Sequence, residues 1–311
     1  MVFNIKEEIK KGRPGLVPLS VGAYAQTIKK IHTKLGLEGE ISSFKFLDNF
    51  DGIVKILTDY APSTRKNMLN AIIVGLKCSG EDTGVCKKYG TIRDNYNKVY
   101  EDEQSTGKKT QKQKKNWVEW DKFQKMINYF SKEIRRLRIR RKATIDEDEL
   151  LLFGDYVLLR LYQDYPLRND YHDVAVVSST AKLEDGKNYL VRSKNSMKLV
   201  LTEYKTKKTY GKKEININSK LVSLLKDYLK HNTTGWLIIN EKTGAPLKSV
   251  GITRRLNRIT EDRLGKKIGS NMIRHSYLSN KYAKNVEEMK KDSDIMGHSV
   301  ETQKKYIKTD D

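Results

Sequence analysis

Cysteine, proline and long apolar runs are all scarce in this sequence. Its 311 residues include two cysteines, Cys78 and Cys86, and five prolines. Two cysteines are too few for a disulfide scaffold, and without a second pair they do not predict a zinc site. The longest apolar run, around Leu150–Phe153, is far too short to cross a bilayer. Charges interrupt any secretory signal within Met1–Ser20, so we expect a soluble, reduced, intracellular protein.

Acidic residues are outnumbered by basic ones. Lys and Arg total 61 against 39 Asp and Glu, which gives a formal net charge of +22. A polyanion is the natural partner for such a surface, with nucleic acid first and an anionic membrane surface second. No helical pattern pairs a Lys/Arg face with a strongly apolar face, as a membrane-surface helix would. The charge therefore predicts a nucleic-acid partner and no membrane.

Shifts in composition divide the chain into four parts. Residues 1–20 are polar and broken by glycine and proline, so we expect a flexible N-terminal arm. Residues 21–100 repeat apolar side chains at helical spacing and predict a small helical domain. Residues 101–116 carry lysines and no apolar side chains, which predicts an exposed basic linker. Residues 117–311 form a second domain.

The second domain mixes helical patterns with short strand-like segments. Leu150–Tyr162 is apolar on nearly all sides and predicts a buried helix. Val174–Val177 is β-branched, and alternating residues on either side of Lys205–Lys213 predict a β-hairpin with a long polar tip. From Pro246 onward the pattern is helical again. The predicted fold class is mostly α with a small antiparallel β-sheet, an α+β fold.

Two basic runs are candidates for contact with a phosphate backbone. For one isolated run a solvated helix face is an equally good explanation, but two runs at this net charge favour DNA contact. The predicted DNA-binding residues are Lys108, Lys109, Lys112, Lys114, Lys115, Arg135 and Arg138.

The sequence lacks the usual metal and nucleotide motifs of phosphodiester chemistry. There is no phosphate-binding glycine loop and no zinc-type His or Cys spacing. The acidic run Asp146–Glu149 is explained by a helix start, where the helix dipole favours acids. We therefore expect neither metal nor cofactor. Metal-free phosphoryl transfer then needs a nucleophile, cations around the phosphate and an acid for the leaving oxygen.

Candidates for these roles occur after the buried helix, in the hairpin and near the end of the sequence. Taken singly, each is more simply a surface charge, a helix-end residue or a packing tyrosine. Their order along the chain is more informative than any one of them. In chain order they are Arg168, Lys205, Asn271, Arg274, His275, His298 and Tyr306.

In order, spacing and hairpin context these residues resemble the tyrosine recombinase family, the phage-type integrases and their relatives. The family's His-x-x-Arg-His box reads Asn271-x-x-Arg274-His275, and its Leu-Gly-His-Ser element reads Met296-Gly297-His298-Ser299, followed by Tyr306. Its first arginine matches Pro166-Leu167-Arg168, and its hairpin lysine matches Tyr204–Lys208. The resemblance covers about residues 20–308. Asn271 departs from the family pattern, because an amide cannot act as a base.

The resemblance implies a helical core-binding domain followed by a tyrosine-recombinase-type catalytic domain. It implies a site-specific recombinase that cuts and rejoins DNA through a 3′-phosphotyrosine on Tyr306, without metal or ATP. Arg168 and Arg274 would neutralise the phosphate, and His298 would hydrogen-bond to it. Lys205 would protonate the leaving 5′-oxygen, with Lys207 and Lys208 as alternatives. Asn271 and His275 would have supporting roles.

The implied partners are double-stranded DNA and three further copies of the chain, in a homotetramer on two duplexes. The compartment is that of the target DNA: a prokaryotic cytoplasm, or a eukaryotic nucleus or viral factory. Separately, the Lys/Asn/Ile/Tyr-rich usage is compatible with an AT-rich genome, such as that of a virus or mobile element. Two other functions stay open. A type IB topoisomerase would relax supercoiled DNA as a monomer, and a silent DNA-binding protein of the same fold would form no covalent adduct.

Overall fold

The computed structural model describes residues 3–80, 84–105, 107–178 and 183–307, leaving out the side chains of Gln104 and Lys112. The chain divides into two compact units, Met1–Thr110 and Gln111–Asp311. Most described residues are helical, and every described strand lies in the second unit. The predicted fold class, mostly helical with a small sheet, is confirmed.

The first unit is built around one central helix. Its helices are α1 (Ile5–Gly12), α2 (Pro18–Lys34), α3 (Phe50–Thr58), α4 (Pro62–Ser79) and α5 (Val85–Ser105), with a 3₁₀ turn at Lys45–Asp48. The other helices and the 3₁₀ turn all contact α4, and its buried residues face every direction for that reason. Gly75 permits close packing there, because a Cβ at this position would lie 2.8 Å from Leu47 Cδ1.

The prediction of a flexible arm over residues 1–20 is wrong for the described part of that segment. Ile5 and Ile9 lie one helical turn apart and are both buried, so α1 has an apolar stripe despite its charged residues. The Asn4 side chain caps α1 by accepting a hydrogen bond from the Lys6 amide at 3.0 Å. Pro18 begins α2 rather than breaking the chain, because proline fits the first turn of a helix.

The predicted linker over residues 101–116 is also more ordered than its composition suggested. Helix α5 continues to Ser105, because no glycine or proline interrupts the chain between Thr91 and Thr106. Gly107 has a φ of +66°. A further short helix, α6, covers Gln111–Asn116.

The second unit contains the remaining helices and the sheet. After α6 its helices are α7 (Trp120–Arg136), α8 (Glu147–Asp164), α9 (Lys207–Tyr210), α10 (Ser219–His231), α11 (Ser249–Leu264), α12 (Ser270–Met296) and α13 (Val300–Tyr306). The strands are β1 (Val174–Ser178), β2 (Asn188–Arg192), β3 (Met197–Leu201) and β4 (Lys213–Asn216). The predicted buried helix is confirmed as α8, with Asp146 capping it through the Glu149 amide at 2.8 Å.

The described strands form one sheet in the order β1-β2-β3-β4. The predicted hairpin is confirmed, since β3 and β4 are antiparallel with Leu199 opposite Ile215. Its tip contains the short helix α9. The sheet is mixed rather than wholly antiparallel, because β1 pairs with β2 in parallel. Alternation along a strand indicates which face is buried and not the direction of the neighbouring strand. The parallel pairing could therefore not be predicted from the sequence.

Candidate active site

Arg168 is held in a loop that folds back onto the end of α8. The hydroxyl of Tyr162, in the last turns of α8, donates a hydrogen bond to the Arg168 carbonyl at 2.8 Å. Tyr171 is fully buried beyond the loop, and its ring packs edge-on against Tyr162 at 5.1 Å between centroids. The two tyrosines therefore fix the backbone on both sides of Arg168.

Asn169 ties this loop to two further helices. Its amide nitrogen donates to Thr253 Oγ1 in α11 at 2.7 Å, and its amide oxygen accepts from Ser270 Oγ at the start of α12 at 2.7 Å. These bonds join residues remote in the sequence and bring the start of α12 beside Arg168. No sequence pattern marks Asn169 as a linking residue, because the partners of an asparagine are decided by the folded chain.

Arg168 and Arg274 lie close together in the folded unit. Burial lowers the pKa of Arg274, and the neighbouring charge of Arg168 lowers it further, against opposing effects of Asp170 and Tyr162. Burial also raises the pKa of the Asp170 carboxyl, although Arg168, His172 and Arg274 favour its ionised form. Among the described residues neither guanidinium makes an ion pair. Two neighbouring cations without a bonded acid are suited to hold an added anion.

His298 and Tyr306 form a second pair at the far end of α12. Gly297 ends that helix at a φ of +70°, where glycine carries no steric penalty. The ring of His298 stacks on that of Tyr306, with centroids 5.6 Å apart and planes at 28°. Ser293 Oγ donates to Gln303 Oε1 at 2.7 Å and fixes α13 to the end of α12. The Tyr306 side chain is left 70% exposed.

The two pairs are separated by the length of α12. Arg274 and Ser293 lie in the same continuous helix, and nineteen residues at about 1.5 Å each place them about 28 Å apart. Tyr306 is only three residues beyond Gln303, the anchor of α13. The structure therefore brings Arg168 to Arg274 and His298 to Tyr306, and keeps the tyrosine away from the arginines of its own chain.

The hairpin lysines differ in their surroundings. Lys205 is exposed at the β3–β4 tip, and Lys208 is also exposed. Lys207 pairs with Asp185 at 2.6 Å, which leaves it less available than Lys205 for a substrate. Near the arginine pair, Asn271 is exposed and His275 is half-buried.

The predicted DNA-contacting residues are spread over several elements. Lys108 and Lys109 are exposed in the first unit, Lys114 and Lys115 are exposed in α6, and the Lys112 side chain lies outside the described residues. Arg135 is exposed in the last turn of α7, and Arg138 is exposed just beyond it.

Across the described segments, no group of three or more His, Cys, Asp or Glu side chains could hold a metal ion. Of the helices that the structure describes, none has both the length and the apolar character needed to cross a membrane.

No protein-family model and no curated protein matches the chain. Among solved structures, the chain is similar to the crystal structure of XerA recombinase, with 10% sequence identity and a TM-score of 0.36. The match covers 99% of this chain and 94% of that chain.

Proposed function

We propose that this protein is a site-specific DNA recombinase that breaks and rejoins strands through Tyr306. The observation that carries the proposal is the meeting of Arg168 and Arg274, which are remote in sequence yet close enough for one charge to lower the pKa of the other. The ordered motifs that resemble the tyrosine recombinases support it, as does the net charge of +22. The partner is double-stranded DNA, and the linker lysines add contacts to its backbone.

In the proposed reaction the Tyr306 oxygen attacks a DNA phosphorus. A new bond joins phosphorus to the phenol oxygen, the bond from phosphorus to the 5′-oxygen breaks, and the 3′ end is left on the tyrosine. The phenol gives up its proton to a solvent water as it attacks, since its ordinary pKa is about 10. Arg168 and Arg274 stabilise the charge on the non-bridging oxygens, and Lys205 gives a proton to the leaving 5′-oxygen.

The phosphotyrosine conserves the broken bond for rejoining. Attack by a 5′-hydroxyl from another strand reverses the same steps, so exchange requires neither ATP nor metal. The hydrogen bond from His298 to the phosphate adds to the stabilisation when its helix and the arginines meet.

The position of α13 supports a site shared between copies of the chain. Because α12 separates Tyr306 from Arg274 by about 28 Å, the tyrosine of one copy reaches the arginine pair of another. An exposed phenol on a short helix that is fixed to the end of α12 suits this exchange. The proposed assembly is the homotetramer on two duplexes, in which each arginine pair receives a tyrosine from a neighbour.

Trapping on nicked DNA tests the proposal. Duplexes from a random-sequence library, nicked so that the cleaved fragment diffuses away, should accumulate a covalent adduct with the wild-type protein. Tyr306→Phe should give none, because only the nucleophilic oxygen is lost. Tyr100→Phe is the matched control, since Tyr100 is also exposed, at 53%, and should form adduct normally.

Two outcomes would contradict the recombinase. No adduct from the wild type on any library DNA would support the silent DNA-binding protein. An adduct accompanied by relaxation of a supercoiled plasmid by the monomer, with no joining of two DNAs, would support a type IB topoisomerase.

A further inference from the structure

A cavity of about 560 Å³ lies where the end of α7 meets α8 and α10. Four arginines line it, whereas Asp227 is its single acidic wall residue. The lining residues are Ser131, Ile134, Arg135, Arg138, Arg140, Arg141, Tyr156 and Asp227.

The one acid in this cavity is already neutralised. Arg140 Nε donates to Asp227 Oδ2 at 2.7 Å, and its Nη2 donates to Ser223 Oγ at 3.1 Å. Lys230 Nζ also donates to Asp227, at 2.8 Å. Hydrogen bonds from these two cations contribute to holding the pKa of the Asp227 carboxyl below its ordinary value, against the opposing effect of burial. Asp227 is therefore not available to the remaining arginines.

Three arginines are left with uncompensated charge. Within the described residues Arg135, Arg138 and Arg141 make no side-chain hydrogen bond or ion pair. Guanidinium groups bind phosphate oxygens through parallel N–H donors, so three of them around one cavity are suited to a phosphate group.

The backbone of Arg138 is left-handed, which is unusual for any residue except glycine. Its φ is 54° and its ψ is 26°, at the position just after the C-cap of α7, where helices commonly end in this conformation. Ile139, the next residue, is fully buried and anchors the turn. The turn brings Arg138 and Arg141 onto the cavity wall.

A second cavity, of about 480 Å³, continues the first along α8 and shares Ser131 and Tyr156 with it. Arg160 and Lys220 are among its lining residues. Arg160 pairs with Asp164, which also lines the second cavity, at 3.2 Å. The two cavities together are called the groove.

The groove is distinct from the candidate active site. Lys142, next to Arg141, pairs with Glu149 in the first turn of α8. Tyr162, whose hydroxyl holds the Arg168 carbonyl, lies thirteen residues, or about 20 Å, further along that helix. One phosphate cannot therefore contact both arginine groups.

We propose that the cavity lined by Arg135, Arg138 and Arg141 binds a phosphate group of DNA away from the phosphate held at Arg168 and Arg274. The inference rests on the proposed function for its ligand, since a free phosphate compound has the same chemistry. The site extends DNA contact along α8 and gives the basic run after α7 a defined role.

The salt dependence of DNA binding tests this proposal. A plot of log K against log salt for duplex DNA loses about 0.9 of its slope for each phosphate contact removed. Because the cavity holds one phosphate, Arg135→Gln/Arg141→Gln should therefore give a slope shallower by about 0.9. The control Arg192→Gln/Arg254→Gln removes the same charge from exposed positions outside the cavity and should change the slope by less than half as much.

Arg138→Gly provides a second readout that a structural role would not produce. Glycine relieves the left-handed backbone and should raise the midpoint of thermal unfolding, while the slope becomes shallower by no more than about 0.9, the value of one phosphate. Equal slopes for the cavity and control variants would overturn the proposal. Saturable pyrophosphate binding by calorimetry, lost in the cavity variant while its DNA slope is unchanged, would also overturn it in favour of a free ligand.

These results separate the two proposals. A covalent adduct with the wild type, together with unchanged salt slopes in the cavity variants, would refute the cavity site and leave the recombinase proposal in place. The predicted salt slopes without any adduct from the wild type would support the cavity as a DNA site and refute the recombinase proposal.

Discussion

Two groups of arginines in the second unit differ in what surrounds them. Around Asp155 the guanidiniums are matched with carboxylates and carbonyls, whereas Arg168 and Arg274 face each other without an ion pair among the described residues. Both groups join residues that are far apart in sequence. The comparison shows that the partners of an arginine, more than its burial, separate a structural role from a ligand site.

The buried group is held by several hydrogen bonds and an ion pair. Arg255 Nε donates to Asp155 Oδ1 at 2.6 Å, and its other nitrogens donate to two backbone carbonyls at 3.0 and 2.9 Å. Its Nη1 also lies 2.8 Å from Glu241 Oε1. Burial lowers the pKa of Arg255, but the charges of Asp155 and Glu241 outweigh this and raise it. A Cβ at Gly154 would lie 2.6 Å from Arg255 Nη2, so glycine makes room for the guanidinium.

Arg168 and Arg274, the open pair, differ from the buried group, because the surroundings of Arg274 disfavour its positive charge. The pKa of Arg274 is lowered by burial and by Arg168 rather than raised by acids. The positive charge of Arg274 is therefore less favourable in the free protein than it is beside a bound anion. Such a pair costs the free protein stability and gains from the ligand.

The largest expected effect is on the buried group. Arg255→Met should lower the free energy of unfolding by about 3–5 kcal/mol, because it leaves buried carboxylates without their partner. Arg258→Met is the control: Arg258 also bonds Asp155, at 2.7 Å, but its side chain is 45% exposed, so its loss should cost much less. Urea unfolding measures both. Equal losses of unfolding free energy in the two variants would contradict the distinction between the buried and the open arginine groups.

Substitution in the open pair should give a smaller change in free energy. We expect this change in activity rather than in stability. Arg274→Gln should slow strand cleavage by about 10²–10³-fold, the usual result of removing one transition-state donor. The unfolding midpoint should stay the same or rise, because repulsion from Arg168 is relieved. Single-turnover cleavage and thermal unfolding test the two parts. A large loss of stability would place Arg274 with the structural arginines.

Local patterns predicted the elements that depend on near neighbours. The apolar run Leu150–Tyr162 became α8, and the alternation around Lys205–Lys213 became the β3–β4 pair. The arm was misread because two isoleucines, Ile5 and Ile9, outweigh many charges when both are buried. Strand direction in the sheet was missed for a related reason, since it depends on distant parts of the chain.

For the candidate site, the sequence indicated candidate residues but not the distances between them. The motif order selected Arg168 and Arg274, which the fold places together. It contained no information on Asn169, whose bonds link the loop to α11 and α12. Nor did it show that an uninterrupted α12 would keep Tyr306 from the arginines of its own chain.

Mixing two inactive variants tests the shared site most directly. Arg274→Gln keeps the tyrosine and Tyr306→Phe keeps the arginine pair, so alone neither should form appreciable adduct on nicked DNA within the time that the wild type needs. Together they should form it, because a tyrosine from one chain can meet an intact arginine pair on the other. With chains of different size, the DNA should be attached to the Arg274→Gln chain. No adduct from the mixture, under conditions where the wild type forms one, would contradict a site shared between copies.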